Sequence, residues 1–238
     1  MDLLTMAIEE HGGMRTWGRV SRFRAPAAIS GDLWKLKGQD GLLDEVVIEG
    51  ETRDQRLTIG PFPHAGRYAT WEPYRQMIKT DDGVPVAECR DPVRAFTRPA
   101  RRPDWNELRV AYFASQMAWN LLTMPFLFAR ADFVTEEIGT WREDGEVWRQ
   151  LAVTYPDCIA THTRRQVFSF DNSGFLCRID YTVDVLGGEP LVHYPADYCE
   201  FDGILVPMRH RVYARTDDGG ADLSTPFLAV DFRDVLFS

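Results

Sequence analysis

The sequence predicts an α+β chain: about ten antiparallel strands in one curved sheet, with a short helix at the start and an apolar helix inserted midway. Three observations carry this. Strand-length runs with alternating or β-branched residues recur through most of the chain, separated by Gly- and Asp-rich turns. Val110 to Ala129 runs twenty residues without a charge, flanked by Arg109 and Arg130. Hydrophobic residues make up 45 % and aromatics 12 % of 238 residues, enough for a sizeable core.

In chain order, Leu3, Leu4, Ala7 and Ile8 follow the helical period, and Gly12-Gly13 stops that helix. From Arg15 the texture turns to strands: Glu45–Gly50, Gln55–Ile59, Arg67–Trp71, Gln76–Thr80 and Val86–Cys89, with Asp81-Asp82-Gly83 as a hairpin signal. The basic, proline-bearing stretch Thr97–Asp104 is a linker candidate. It leads into a helix near 105–124 with Asp104 as its expected N-cap. Two stripes, Leu108/Ala111/Tyr112/Ser115/Trp119/Leu122 and Phe113/Met117/Leu121, leave that helix little surface suited to water. After Pro125 a meander is predicted: Phe133–Thr140, Val147–Tyr155, Thr161–Phe170, Phe175–Leu186, Leu191–Phe201, Leu205–Ala214 and Leu228–Val235. Its connectors include Glu143-Asp144-Gly145 and Asp202-Gly203. A helix apolar nearly all round, within an antiparallel sheet protein, reads as a lid over a concave sheet that encloses a cavity.

Composition excludes several classes. A net charge of -9 argues against nucleic acid or anionic lipid as a general partner. The charge-free segment is long enough for a membrane span, but Ser115, Gln116, Asn120, Thr123 and Pro125 interrupt it, so a buried helix is expected and no membrane span. Cys89, Cys158, Cys177 and Cys199 are scattered and fit neither a zinc knuckle nor a dense disulfide framework. The five histidines show no metal-ligand spacing, and no nucleotide, phosphate or serine-hydrolase motif is present, so neither cofactor nor metal is expected. The first ten residues lack the pattern of a signal peptide, which predicts a cytoplasmic chain with reduced thiols.

Three blocks resemble a known group. His11-Gly12-Gly13 followed by Trp17 is one, and Ala111-Tyr112-Phe113 through Trp119-Asn120-Leu121 to Pro125-Phe126 is another. The third is Phe201-Asp202-Gly203-Ile204-Leu205-Val206-Pro207-Met208-Arg209. Together they are similar to a widespread group of uncharacterised bacterial proteins sharing the fold of the periplasmic lipoprotein carriers. The resemblance implies a single half-barrel domain over 1–238, a curved antiparallel sheet whose helices close over a hydrophobic cavity. It implies no catalytic residues.

Strand alternation sorts the candidate site residues. Val206, Met208, His210 and Val212 share one face, and Arg209, Arg211 and Tyr213 the other. His162, Arg164, Gln166, Phe168 and Phe170 share a face, as do Phe175, Cys177, Ile179, Tyr181 and Val183 opposite Arg178, Asp180, Thr182 and Asp184. His193 falls with Pro195 and Asp197, either in a strand with a proline bulge near a sheet edge or as a His193–Asp197 pair at the cavity mouth. The lid adds Tyr112, Gln116, Trp119 and Asn120. Each polar residue is readable as a hydrogen-bonded core group or as part of a site.

Two pocket functions follow. One is binding of a hydrophobic small molecule or lipid-like ligand by Tyr112, Gln116, Trp119, Asn120, Gln166, Phe168 and Met208. The other is cofactor-independent acid/base catalysis on an apolar substrate (isomerisation, cyclisation, dehydration or hydrolysis), with His210 or His162 moving the proton and Tyr181, Gln166 or Asn120 stabilising charge. A third reading has the apolar helix docking a partner protein.

Overall fold

The computed structural model describes residues 1–96, 104–183 and 186–238. The expected linker therefore lies, apart from Asp104, outside the described residues, as does Asp184. Asp2 caps α1 (Leu3–Glu10), its Oδ1 accepting from the Thr5 amide at 2.9 Å. A second short helix, α2 (Gly13–Trp17), follows at once. Gly12 between them holds φ 116°, and a Cβ there would stand 2.0 Å from the Gly203 carbonyl oxygen. The Leu205 amide also donates to His11 O at 3.0 Å. The first and third resemblance blocks are thus in backbone contact, and only glycine fits the crossing.

The strands form two runs. The first is β1 (Arg22–Ser30), β2 (Val46–Glu51), β3 (Leu57–Gly60), β4 (Arg67–Glu72), β5 (Arg75–Thr80) and β6 (Pro85–Arg90), with α3 (Asp32–Leu36) after β1. The second is β7 (Val134–Glu143), β8 (Glu146–Thr154), β9 (Arg165–Phe170), β10 (Leu176–Val183), β11 (Glu189–Phe201), β12 (Ile204–Ala214), β13 (Leu228–Phe232) and β14 (Leu236–Phe237). Among the described residues all fourteen lie in one sheet, ordered β6-β5-β4-β3-β2-β1-β13-β12-β11-β10-β9-β8-β7, with β14 on β1. β1 to β6 and β7 to β13 are each an antiparallel meander, and the β1–β13 pairing welds them. Asp144-Gly145 and Asp202-Gly203, all at positive φ, make the tight turns of β7–β8 and β11–β12.

The observed count exceeds the expected ten: the segments named above correspond to twelve of the strands, and β1 and β14 escape the sequence pattern. Pro26 argues against a central strand, since it cannot donate to a ladder. Here it faces the junction where β13 ends and β14 begins, and its carbonyl accepts from the Arg233 amide at 2.8 Å. No ladder donor is required at that point.

Between the runs come α4 (Pro92–Phe96), α5 (Glu107–Thr123) and a 3-10 turn at Phe126–Ala129. The N-cap of α5 is Asn106 rather than Asp104: its Oδ1 accepts from the Arg109 amide at 3.0 Å. Thirteen of its seventeen residues are buried, and it packs on β3, β4, β5 and β6. A helix covered this far by its own chain is not a free docking surface, so the partner-helix reading is set aside. The returning chain is wedged by aromatic contacts: Trp17 stacks on Phe126 at 4.4 Å, and Phe128 meets Phe168 at 4.7 Å.

The sheet's other face carries a buried cation. Arg178 is 1 % exposed, yet its guanidinium bonds Asp180 at 2.6 Å, Glu143 at 2.6 Å and the Gly219 carbonyl at 2.5 Å. It also lies 4.3 Å from the Trp141 ring. The loop after β12 closes over it, and Arg215 adds a second contact to Asp180 at 3.6 Å. Removing one partner of such a network strands the others' charge. Arg178→Ala is therefore expected to lose about 3–5 kcal/mol of unfolding free energy. Urea denaturation at neutral pH measures this, and an unchanged midpoint would count against the network.

Candidate functional site

Between α5 and the concave face of the second meander lies a cavity of about 40 Å³. From α5 and the residue after it come Met117, Asn120, Leu121 and Met124. The polar remainder is Thr161, His162, Gln166, Tyr181, His193 and His210, with Tyr155 beside them. Ile179, Val212, Leu228 and Val230 complete the wall. No Asp, Glu, Lys or Arg lines it.

His162, His193 and His210 thus converge, by three routes. His210 is in β12 and His193 is in β11, where the pairing sets Pro195 opposite His210 and His193 opposite Val212. Their rings meet across the ladder, His193 Nε2 to His210 Nδ1 at 2.9 Å. His162 sits in the loop before β9, not in a strand as expected, and stacks on Phe113 of α5 at 4.0 Å. Arg164 leaves the face assigned to it: the loop turns it outward to the Tyr155 carbonyl and Asp157.

Neither reading of His193 survives as stated. β11 lies inside the sheet, not at an edge. Asp197, at φ 55°, is left out of the β11–β12 pairing, whose register runs unbroken past it, and its carboxylate pairs with Arg209 instead of His193. The neighbouring β10 also shifts register between Leu176 and Arg178, which puts Leu176 rather than Cys177 in the core.

Of the expected ligand-binding residues, Asn120 and Gln166 line the cavity. The others lie elsewhere. Gln116 donates to the Tyr112 hydroxyl at 3.2 Å, Trp119 donates to the Glu51 carbonyl at 2.8 Å, and Phe168 packs on Phe128. Met208 is half-buried at the edge of the core. The sequence reading missed Tyr155, Thr161, Met117 and Met124. Only the apolar texture of the lid hinted at the two methionines.

The polar lining is incompletely paired. Asn120 Nδ2 donates to Gln116 O at 2.8 Å, while its Oδ1 is buried without a protein partner. His162 Nε2 and His210 Nε2 are buried without partners too. Gln166 is held by Thr161 at 2.9 Å and by the Thr163 carbonyl at 3.2 Å. A second unpaired set lies further along the helix: Ser115 Oγ of α5 and both amide atoms of Gln76 in β5.

Burial keeps the site neutral. It pushes His162 and His210 down to about 3, and it lowers His193 well below the usual imidazole value, helped by the facing His210 ring. The same desolvation raises the phenols of Tyr155 and Tyr181. Among the described residues no group of three or more His, Cys, Asp or Glu is placed to hold a metal ion. A wider groove of about 510 Å³ opens on the opposite face of the first meander among Arg22, Arg24, Glu49, Arg56, Arg75 and Lys79, and holds none of the candidate residues.

The depressed histidines make stability pH-dependent. Below about pH 6.5 the unfolded chain takes up protons that the folded chain refuses. The stability is therefore fully present above that pH and is lost as pH falls toward the folded values near 3. Each such histidine contributes a slope of about 1.4 kcal/mol per pH unit. Urea midpoints measured stepwise from neutral pH to about pH 4.5, above most unfolded carboxylate values, should fall steadily, and less steeply in His162→Phe.

No family model matches the chain, and no curated protein matches it. Solved structures do. A LolA superfamily protein from Nitrosomonas europaea superposes with a TM-score of 0.52 at 10 % identity, covering 99 % of this chain and 92 % of that one. A DUF1329 family protein from Desulfovibrio piger gives 0.52 at 12 %, over 100 % and 94 %. A protein from Vibrio parahaemolyticus, described as an outer membrane lipoprotein-sorting protein domain, gives 0.52 at 11 %, over 99 % and 92 %. These likenesses contradict the cytoplasmic assignment drawn from the first ten residues, since one of the solved structures that share the fold is described by outer membrane lipoprotein sorting. Among the described residues no helix is long and apolar enough to cross a membrane. What the chain shares with these proteins is its fold, the open curved antiparallel sheet of the LolA superfamily and lipoprotein-sorting proteins.

Proposed function

We propose that this chain binds a hydrophobic, lipid-like molecule between α5 and the concave face of the half-barrel, working outside the cytoplasm. The observation that carries the reading is the unpaired polar edge of the closed interface. Asn120 Oδ1, His162 Nε2, His210 Nε2, Ser115 Oγ and the Gln76 amide are all buried there without protein partners. Each such group costs about 1–3 kcal/mol. A helix that never leaves its sheet gains nothing from them, whereas one that admits a guest exchanges them for contacts with it. The cavity of about 40 Å³ is far below the few hundred Å³ of ordinary ligand pockets, so binding requires α5 to move outward. Met117 and Met124 suit this, because unbranched thioether chains repack around irregular guests. The fold's likeness to lipoprotein-sorting proteins points the same way.

The acid/base reading fares less well on electrostatic grounds. A proton-transfer group works best with a pKa near the operating pH. His162 and His210, held near 3, stay neutral there and act as hydrogen-bonding groups.

Binding is measured with the neutral fluorescent probe N-phenyl-1-naphthylamine. The wild-type protein should show saturable enhancement. Met117→Trp, which fills the space beneath α5, should weaken binding by about tenfold or more while the fold persists by circular dichroism. Absence of saturable binding by the wild-type protein overturns the proposal.

A further inference from the structure

Resting on that binding reading, we infer that the polar cluster beneath α5 recognises an uncharged hydrogen-bond-donating head group, a hydroxyl above all, at the end of an apolar chain. The argument starts from which atoms are free. Asn120 Nδ2 is committed to two carbonyls, Gln116 O at 2.8 Å and Ala160 O at 3.4 Å. Its Oδ1, which can only accept, is therefore the atom left unpaired. A guest that satisfies it must bring an O–H or N–H. His210, 0 % exposed, uses Nδ1 on His193, and its Nε2 is left unpaired, as is Nε2 of His162. A neutral imidazole nitrogen either donates or accepts according to tautomer, and a hydroxyl answers both cases because it does both. The three residues come from α5, β12 and the loop before β9, and all three line the cavity.

Charge narrows the class. No acidic or basic side chain lines the cavity, so a carboxylate, phosphate or ammonium entering it would lose its hydration and meet no counter-ion. The volume fits as well: about 40 Å³ exceeds the roughly 10–15 Å³ needed by one water-sized group, and so admits a hydroxymethyl-sized terminus. The chain behind it would run past Met117, Leu121 and Met124, displacing flexible side chains against Ile179, Val212, Leu228 and Val230. Fatty alcohols and the free hydroxyls of acylglycerols or sterol-like molecules carry this chemistry, and ionised fatty acids do not.

The test compares four dodecyl compounds below their aggregation concentrations, each displacing N-phenyl-1-naphthylamine at neutral pH: 1-dodecanol, its methyl ether, dodecanoate and dodecyltrimethylammonium. The alcohol should bind roughly tenfold or more tighter than the ether, which lacks the donor, and tighter than both ions. Asn120→Leu should bring alcohol and ether close to parity. His162→Phe, which keeps the ring stack on Phe113, should narrow the same gap and serves where Asn120→Leu does not fold. Equal binding of alcohol and ether, tighter binding of either ion, or an undiminished preference in a folded variant overturns the inference and leaves hydrophobic binding intact. Failure of the wild-type protein to bind the probe at all removes the binding reading, and this inference with it.

Discussion

Because β6 and β7 are the two free edges of the sheet, the segment joining them must travel from one edge to the other, and α5 makes that crossing over the concave face. The rest of the interior follows from this constraint. A helix laid inside a curved sheet has no side left for water, which is why Val110 through Trp119 are all buried. Its polar side chains are used to moor it. Trp119 Nε1 reaches the Glu51 carbonyl at the end of β2, and Thr123 Oγ1 turns back to the Trp119 carbonyl. Asn120 leans on Ala160, whose amide and carbonyl are in turn held by Gln55 at 2.7 and 2.9 Å. The helix is thereby tied both to the first meander and to the loop that presents His162.

The two faces of the second meander handle polarity in opposite ways. On the outer face a full charge is buried, and it is tolerable because Arg178 bonds two carboxylates and a carbonyl while its plane rests on Trp141. On the concave face no charge is buried. The three histidines are kept neutral by desolvation, and the single imidazole–imidazole bond leaves other polar atoms over. The first arrangement pairs its groups fully within the protein. The second is left partly unused, and that asymmetry distinguishes a structural cluster from a candidate binding one.

Much of this was legible in the sequence, and the failures have physical causes. The second meander could be read strand by strand because each strand alternates and Asp-Gly turns punctuate it. β1 could not, because Pro26 disqualifies a central strand unless one already knows that two partner strands meet opposite it. His210 and Tyr181 followed from period-two alternation alone. The alternative that pairs His193 with Asp197 rests on the same logic and fails, because Asp197 is left out of the ladder at positive φ and its carboxylate pairs with Arg209. His162 reached the cavity from a loop, so its presence there does not vindicate the strand argument that nominated it. The lid residues were hardest. Periodicity finds a helix's inner face only when an outer face contrasts with it, and α5 has almost none. Tyr112, Gln116 and Trp119 were indistinguishable in sequence from Asn120, and only packing separates them.

On the proposed binding reading, the balance of energies over α5 accounts for the way a well-packed interior would open to a guest. Burying a large apolar side chain contributes about 1.5–3 kcal/mol, and the helix buries Phe113, Met117, Trp119, Leu121 and Leu122 among others. Closure therefore wins in the absence of a guest. Each unpaired group at the same interface offsets about 1–3 kcal/mol of that gain, so the closed state is shallower than its apolar contacts alone imply. A guest with a long apolar chain replaces the first contribution almost in kind, since it covers the same side chains. If it also carries a neutral donor, it recovers part of the second. On that reading the orphaned atoms bias the lid: they leave the closed fold stable while reserving a free-energy gain for a molecule of the right chemistry.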